Sequence, residues 1–198
     1  MFVLLNLKTM KPQEQIQLIN DTINKTKENL KSSAPNFIFW GALIAVMSLI
    51  HYGFPEFIQK TTYSSLIYWI SVPLIGMVLT VIYNIKKRKK TGYETHIGRA
   101  LKIIWGVFNL AWILLIVISM LNNQNPVHSI LFLLGITLLI TGLLIRFKPI
   151  SFGGIAVIAC SVLLVCNPEV NSLLINGIAA FLGLLLPGLA LLYNKSNV

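Results

Sequence analysis

The sequence predicts an all-α membrane protein whose helices cross the bilayer six times. Hydrophobic residues make up 56% of the 198 residues and charged residues only 11%, whereas charge occupies about a quarter of an ordinary soluble domain. The apolar residues form long runs, and a bilayer-spanning helix needs about 20 such residues. Six spans therefore fill the chain from residue 36 onward and leave no room for a catalytic domain outside the membrane.

Turn-forming residues separate the apolar runs and set the boundaries of the spans. Gly53 with Pro55, the segment 122–126, Pro149 and the pair Asn167-Pro168 each end or precede a run, and such residues interrupt helices. Because the connections are short, we expect three antiparallel hairpins. The predicted spans cover about 36–53, 64–85, 101–121, 128–145, 150–166 and 171–193.

The distribution of Lys and Arg predicts the orientation of these spans. With the N-terminus in the cytoplasm, 15 of the 16 cations fall on the cytoplasmic side and only Lys60 falls on the other. Short loops rich in Lys and Arg stay inside. We therefore expect a multi-pass protein of the bacterial cytoplasmic (inner) membrane with both termini in the cytoplasm. We attribute the net charge of +10 to the cations that orient the spans in the membrane, and we expect no direct nucleic acid binding.

Residues 1–35 are expected to form a separate N-terminal region. The pattern of residues 12–31 predicts an amphipathic cytoplasmic helix in it. Ile16, Ile19, Ile23 and Leu30 recur at helical spacing, and polar residues occupy the other face. Such a helix either rests on the membrane surface or docks a partner. Translation starts at Met1 or at Met10, and the sequence leaves both open.

The chain has no motif of an enzyme or of a cofactor site, so we expect no catalytic residue, no cofactor and no resident metal ion. No ionisable residue lies well inside a predicted span, which argues against a proton-driven carrier. The polar residues at depth, and small residues such as Gly135, Gly142, Ala179 and Gly183, are expected mainly to permit close helix packing. Those polar residues are Asn109, Thr137, Thr141, Cys160, Ser161 and Asn176.

Two spans contain helix-breaking residues. Pro73 with Gly76 interrupts the second span, and Pro187 with Gly188 interrupts the sixth. Broken helices free carbonyl groups that bind substrate in some transporters, although a plain kink is the more common result. These four positions are the candidates for a midplane path.

Several polar residues fall at the ends of the spans on the side that carries Lys60. They are His51, Tyr52, Glu56, His128 and Glu169. Imidazole and carboxylate groups bind Zn²⁺, and histidine titrates near neutral pH. The alternative is that these residues face water at the ends of the spans without forming a site, because no ligand spacing typical of a metal site is present.

A run of five cations follows the second span: Lys86, Lys87, Arg88, Lys89 and Lys90. Such a run orients the chain and contacts anionic lipid, or it binds a cytosolic protein. We therefore hold two hypotheses for the molecular function. The first is a non-enzymatic interaction or signalling protein with a partner at its inner face, and the second is a small-solute transporter or channel. Besides the bilayer, a second copy of the chain is a further candidate partner.

The sequence also resembles an uncharacterised family of small bacterial integral membrane proteins of the Bacteroidota type. The resemblance rests on Phe39-Trp40-Gly41, His51-Tyr52, Pro73-Leu74-Ile75-Gly76, Phe147-Lys148-Pro149 with Gly153-Gly154, and Leu186-Pro187-Gly188. It covers most of the chain and implies six spans and genes placed beside winged-helix regulators. It implies no activity and no functional residues.

Overall fold

A computed structural model describes residues 33–61, 64–91, 96–122 and 124–193. The amphipathic helix predicted over residues 12–31 lies outside these ranges. The chain divides into two units at residue 33, and the helices described below belong to the second unit.

Every element among the described residues is helical, as predicted. We label the helices α1 to α8 in chain order, with a π-helical segment between α7 and α8. Their bounds are α1 Ala34–Gly53, α2 Pro55–Ile58, α3 Ser64–Thr91, α4 His96–Leu121, α5 Val127–Leu144, α6 Lys148–Cys166, α7 Ser172–Ala180, the π segment Phe181–Leu185 and α8 Leu186–Tyr193.

The described residues contain six helices that are long and apolar enough to cross a membrane, which confirms the predicted all-α fold with six such helices. α7, the π segment and α8 together form the sixth of these, called the sixth span below. Two helices extend beyond the predicted spans. α3 continues to Thr91, past the span predicted to end near 85, and α4 begins at His96, before the span predicted to begin near 101.

Four of the six spans form the core of the described unit. α5 packs along α6, α6 packs along the sixth span, and the sixth span packs along α1. Each of these pairs is antiparallel, because contacts move forward along one helix as they move backward along the other. Gly41, for example, meets Leu185, whereas Ser48 meets Gly177, nearer the start of the sixth span.

Glycines allow this close packing. A Cβ placed on Gly41 of α1 would lie only 2.5 Å from the backbone nitrogen of Leu185, and one on Gly188 would lie 2.9 Å from the Cβ of Phe37. On α5, Gly135 meets the backbone of Gly154 in the same way. Lipid tails are as apolar as leucine, so helices in a bilayer associate through close van der Waals contact, which small residues permit.

α3 and α4 lie at the periphery of this core. Of their most apolar stretches only 11% and 6% of residues are buried, against 28% to 44% for the other four spans. α3 contacts α1 through side chains, and α4 packs mainly on α5. The closest packing thus joins α5 to α6 and α1 to the sixth span, and the predicted grouping into three hairpins is not confirmed.

The turn between α5 and α6 is closed by backbone hydrogen bonds. The N–H of Arg146 donates to the carbonyl of Leu143, and the N–H of Phe147 donates to the carbonyl of Gly142. This pair of bonds is the Schellman helix ending, which needs a left-handed residue after the helix. Arg146 takes that conformation, with φ of 54°, although glycine is the residue usually found there.

We call the end of the bundle that carries Lys60 and the turn 122–126 the cation-poor end. The opposite end, with Lys86, Arg99 and the turn at Arg146, is the cation-rich end. These names describe the distribution of charge in the sequence.

Candidate functional site

A buried histidine joins three helical elements at the cation-poor end. His51 lies in the last turn of α1 and is only 6% exposed. Its Nδ1 accepts a hydrogen bond of 2.9 Å from the indole N–H of Trp69 in α3. Its Nε2 lies 3.1 Å from the side-chain amide nitrogen of Gln59, the C-cap residue of α2. Because Nδ1 accepts a hydrogen bond, the neutral ring has its proton on Nε2, and Gln59 accepts that proton when its amide turns its oxygen toward the ring.

Aromatic rings surround this histidine. The ring centroids of Tyr68 and Trp69 each lie 6.2 Å from that of His51, and the two aromatic rings contact each other edge to face. The hydroxyl of Tyr68 donates to the carbonyl of Met47, one turn before His51. We call His51, Gln59, Tyr68 and Trp69 the histidine cluster. It holds the start of α3 against the end of α1.

A second contact holds α3 at the cation-rich end. The side-chain amide of Asn36 donates to the side-chain oxygen of Asn84 over 3.2 Å. Between the two ends, Gly76 of α3 receives the side chains of Leu43, Trp40 and Phe39 from α1. Polar contacts at both ends and aromatic packing between them thus attach α3 to α1.

The polar residues predicted at the cation-poor end do not come together as a metal site. Among the described residues, no group of three or more His, Cys, Asp or Glu side chains gathers closely enough to hold a metal ion. His51 is engaged with Trp69 and Gln59, while Tyr52, Glu56 and Glu169 are exposed. His128 is half-buried in the first turn of α5, and its carbonyl accepts from Ser161 over 2.8 Å.

The four helix-breaking positions lie in packed surroundings. Pro73 is buried inside a continuous α3, and Gly76 contacts side chains of α1 as described above. Pro187 contacts Gly153 of α6, and Gly188 contacts α1. The strongest interruption is the π segment that immediately precedes Leu186-Pro187. These positions lie at helix contacts, with no polar lining among the neighbours named.

Of the six polar residues predicted at depth, Asn176 and Ser161 form hydrogen bonds to another helix. Asn176 of α7 donates from its side chain to the hydroxyl of Ser48 in α1 over 3.0 Å, and both residues are buried. Thr137 and Asn109 each bond a carbonyl four residues earlier in their own helix. Thr141 differs, because its fully buried hydroxyl has no hydrogen-bond partner.

The predicted basic run continues a helix at the cation-rich end. The apolar stretch of α3 ends at Lys86, and the backbone remains helical to Thr91. Lys86 is exposed. At 1.5 Å per residue, the basic end extends the helix by about 7 Å past the apolar stretch.

Comparison of the chain with protein-family models, curated proteins and solved structures found no match. The Bacteroidota-type resemblance therefore stays a prediction.

Sequence reasoning missed three members of the histidine cluster. Trp69, Tyr68 and Gln59 are not among the site residues predicted from the sequence. Ser48, which pairs with Asn176, was also missed. The available signal was the position of His51 and Trp69 at facing ends of two consecutive apolar runs, where an antiparallel pair brings residues together.

Proposed function

We propose that this chain is a non-enzymatic interaction protein of the bacterial cytoplasmic membrane, with both termini in the cytoplasm. It binds a cytosolic protein through the cation-rich end, using residues 12–31 and 86–99. The observation that carries this proposal is the continuation of α3 past its apolar stretch to Thr91. A helix that continues past its apolar stretch with five cations in succession concentrates positive charge at this end, and positive charge suits an acidic protein surface.

Orientation is the first requirement of this proposal. Single cysteines at Thr91 and at Asn125, in a background without Cys160 and Cys166, are treated with a membrane-impermeant thiol reagent on intact cells. We expect labelling at 125 and protection at 91, because the segments rich in Lys and Arg remain inside. The opposite pattern, or equal labelling at both positions, contradicts the proposed orientation.

Partner binding is tested with a photo-crosslinking amino acid at Thr91 of the full-length chain in cells. We expect one defined protein adduct at 91 that disappears when Lys86, Lys87, Arg88, Lys89 and Lys90 are all replaced by Gln. The matched control carries the same amino acid at Asn125, on the opposite side. The same adduct at both positions, or an adduct that is insensitive to the five replacements, contradicts the proposal.

The second candidate function is a small-solute transporter or channel, and the π segment before Pro187 favours it. Segments of π-helix often occur at functional sites, and a proline leaves a carbonyl of the preceding turn without its usual donor. Flux in proteoliposomes that is lost in Pro73→Ala or Pro187→Ala, with helicity unchanged, would support this candidate. The close packing of Gly41 and Gly188 across the α1 contact argues against a wide path there.

A further inference from the structure

A groove of about 540 Å³ opens on the surface formed by α4, α5 and α6. Phe132, Leu133 and Ile136 of α5 line it together with Leu115 of α4 and Val162 of α6. His128, Ser129 and Ser161 supply its polar groups. The volume lies within the range of about 300 to 1,000 Å³ that ligand sites occupy.

Polarity is arranged along the length of this groove. His128 and Ser129 lie in the first turn of α5 and are half-buried. From there to Ile136, the residues of α5 that line the groove are apolar. A molecule that fits it has a polar group at the cation-poor end and an apolar chain that points into the bundle. None of the described lining residues is acidic, so an anionic phosphate or an ester carbonyl meets hydroxyl and imidazole groups.

The length of the groove distinguishes an acyl chain from two other occupants, a helix of a second copy and a solute that crosses the membrane. The eight helical steps from His128 to Ile136 correspond to about 12 Å at the rise of an α-helix. One leaflet contributes about half of the 30 Å hydrocarbon thickness. An acyl chain that enters from the nearer leaflet matches this depth. A helix of a second copy would contact the whole thickness, and a solute path would cross it.

The back wall of the groove is formed by α5 and α6, which are in close contact. α5 and α6 contact each other through backbone at Gly135 and Gly154. The hydroxyl of Ser161 donates to the carbonyl of His128 over 2.8 Å at the polar end. The wall on the other side belongs to α4, one of the two peripheral helices. Since α5 and α6 are already in close contact, they cannot rearrange to fill the space beside Phe132.

We propose that this groove is a binding site for one acyl chain of a membrane phospholipid, whose headgroup lies at His128 and Ser129. The site differs from ordinary lipid contact because residues of three helices line the groove and polar groups lie at its end. This proposal is independent of a partner at the cation-rich end.

The first test counts lipids that stay bound to the full-length protein. The protein is extracted from bilayers of phosphatidylethanolamine and phosphatidylglycerol, washed with detergent and analysed by native mass spectrometry. We expect one phospholipid to be retained. Ile136→Trp, which fills the groove, should lower the retained fraction about tenfold, the effect of losing the burial of roughly two CH₂ groups. Ile140→Trp is the matched control, since Ile140 is exposed on the same helix and does not line the groove.

A second variant and a second measurement distinguish loss of the lipid site from misfolding. Val162→Trp obstructs the opposite wall and should act like Ile136→Trp, with the helix content of both variants equal to that of the unchanged protein. A phosphatidylcholine with a photoreactive group midway along its acyl chain is added to proteoliposomes. It should label residues 128–136 and 161–165 more strongly than the exposed face of α4. His128→Leu should weaken retention of the phospholipid.

Three results would overturn the proposal. The first is equal retention of lipid in Ile136→Trp, Val162→Trp and the unchanged protein. The second is labelling spread evenly over the exposed faces of α3, α4 and α5, which indicates ordinary lipid contact. The third is a second copy of the chain, instead of a lipid, that is lost in the groove variants and kept in Ile140→Trp.

Discussion

The four-span core and the peripheral helices α3 and α4 are built from sequences that are similarly apolar, yet they differ in what contacts them. In the core, glycines bring helix backbones together, as at Gly41 against Leu185. On α4, a Cβ on Gly106 would meet nothing within 4 Å. In a bilayer, apolar character brings a helix into the membrane, and small residues at matching positions decide which helices touch. Hydrophobicity alone therefore predicts the spans but not their neighbours.

The largest expected effect comes from enlarging a core glycine. Gly41→Leu should prevent close approach of α1 and the sixth span, because the new Cβ would overlap the backbone of Leu185. Inserting extra methylenes into a packed core costs about 1 to 3 kcal/mol and sometimes more. We expect a fall in the free energy of unfolding at or above the top of that range, measured by unfolding in mixed detergent micelles.

Gly106→Leu is the control for this prediction. The position faces open space, and leucine has a higher helix propensity than glycine by nearly 1 kcal/mol. The free energy of unfolding should stay the same or rise slightly. Equal destabilisation by the two changes would contradict the division into core and periphery.

The next effect concerns the buried pair Ser48 and Asn176. Interhelical hydrogen bonds in membranes contribute on average about 0.6 kcal/mol and reach about 1.7 kcal/mol. We expect a double-mutant cycle of Ser48→Ala and Asn176→Ala to give a coupling energy near the upper part of this range, since both groups are buried. The comparison is Asn109→Ala on α4, where the side-chain amide donates to the carbonyl of Trp105 in its own helix. That change should cost less than Asn176→Ala, and a larger cost at Asn109 would show that α4 belongs to the core.

Weakening the histidine cluster should loosen the contact between α3 and α1 and leave the four-span core intact. Trp69→Phe removes the hydrogen bond to His51, and Tyr68→Phe removes the bond to the carbonyl of Met47. A typical hydrogen bond contributes about 1 kcal/mol net, so each change should speed amide hydrogen exchange in the first turns of α3 about fivefold. Exchange in α5 and α6 serves as the internal control and should not change. Faster exchange throughout the described helices would mean that the histidine cluster supports the whole fold.

Sequence alone predicted the spans well because apolar length is a local property. It placed the end of the second span near 85, next to the end of the apolar stretch at Lys86, but did not predict that the helix continues to Thr91, although Lys and Arg favour helix as much as leucine does. It identified Gly135 and Gly183 as contact positions but not their partners, Gly154 and Val157, because helix pairing depends on residues far apart in sequence. His51 was noticed for its chemistry, whereas its main contacts, Trp69 and Gln59, come from two other elements.

The smallest expected effect lies in the turn between α5 and α6, within the core. Arg146 holds a left-handed conformation that costs about 1 to 2 kcal/mol for a residue with a Cβ, and glycine relieves this cost while adding unfolded-state entropy of about 0.5 to 1 kcal/mol. Arg146→Gly should therefore raise the free energy of unfolding by less than about 1 kcal/mol. Arg146→Ala is the control, because it removes the same cation and keeps the strain, so it should not stabilise. If alanine stabilises as much as glycine, the gain comes from removing charge near Lys148. If neither variant gains, the two backbone hydrogen bonds to Leu143 and Gly142 do not impose the left-handed conformation in solution.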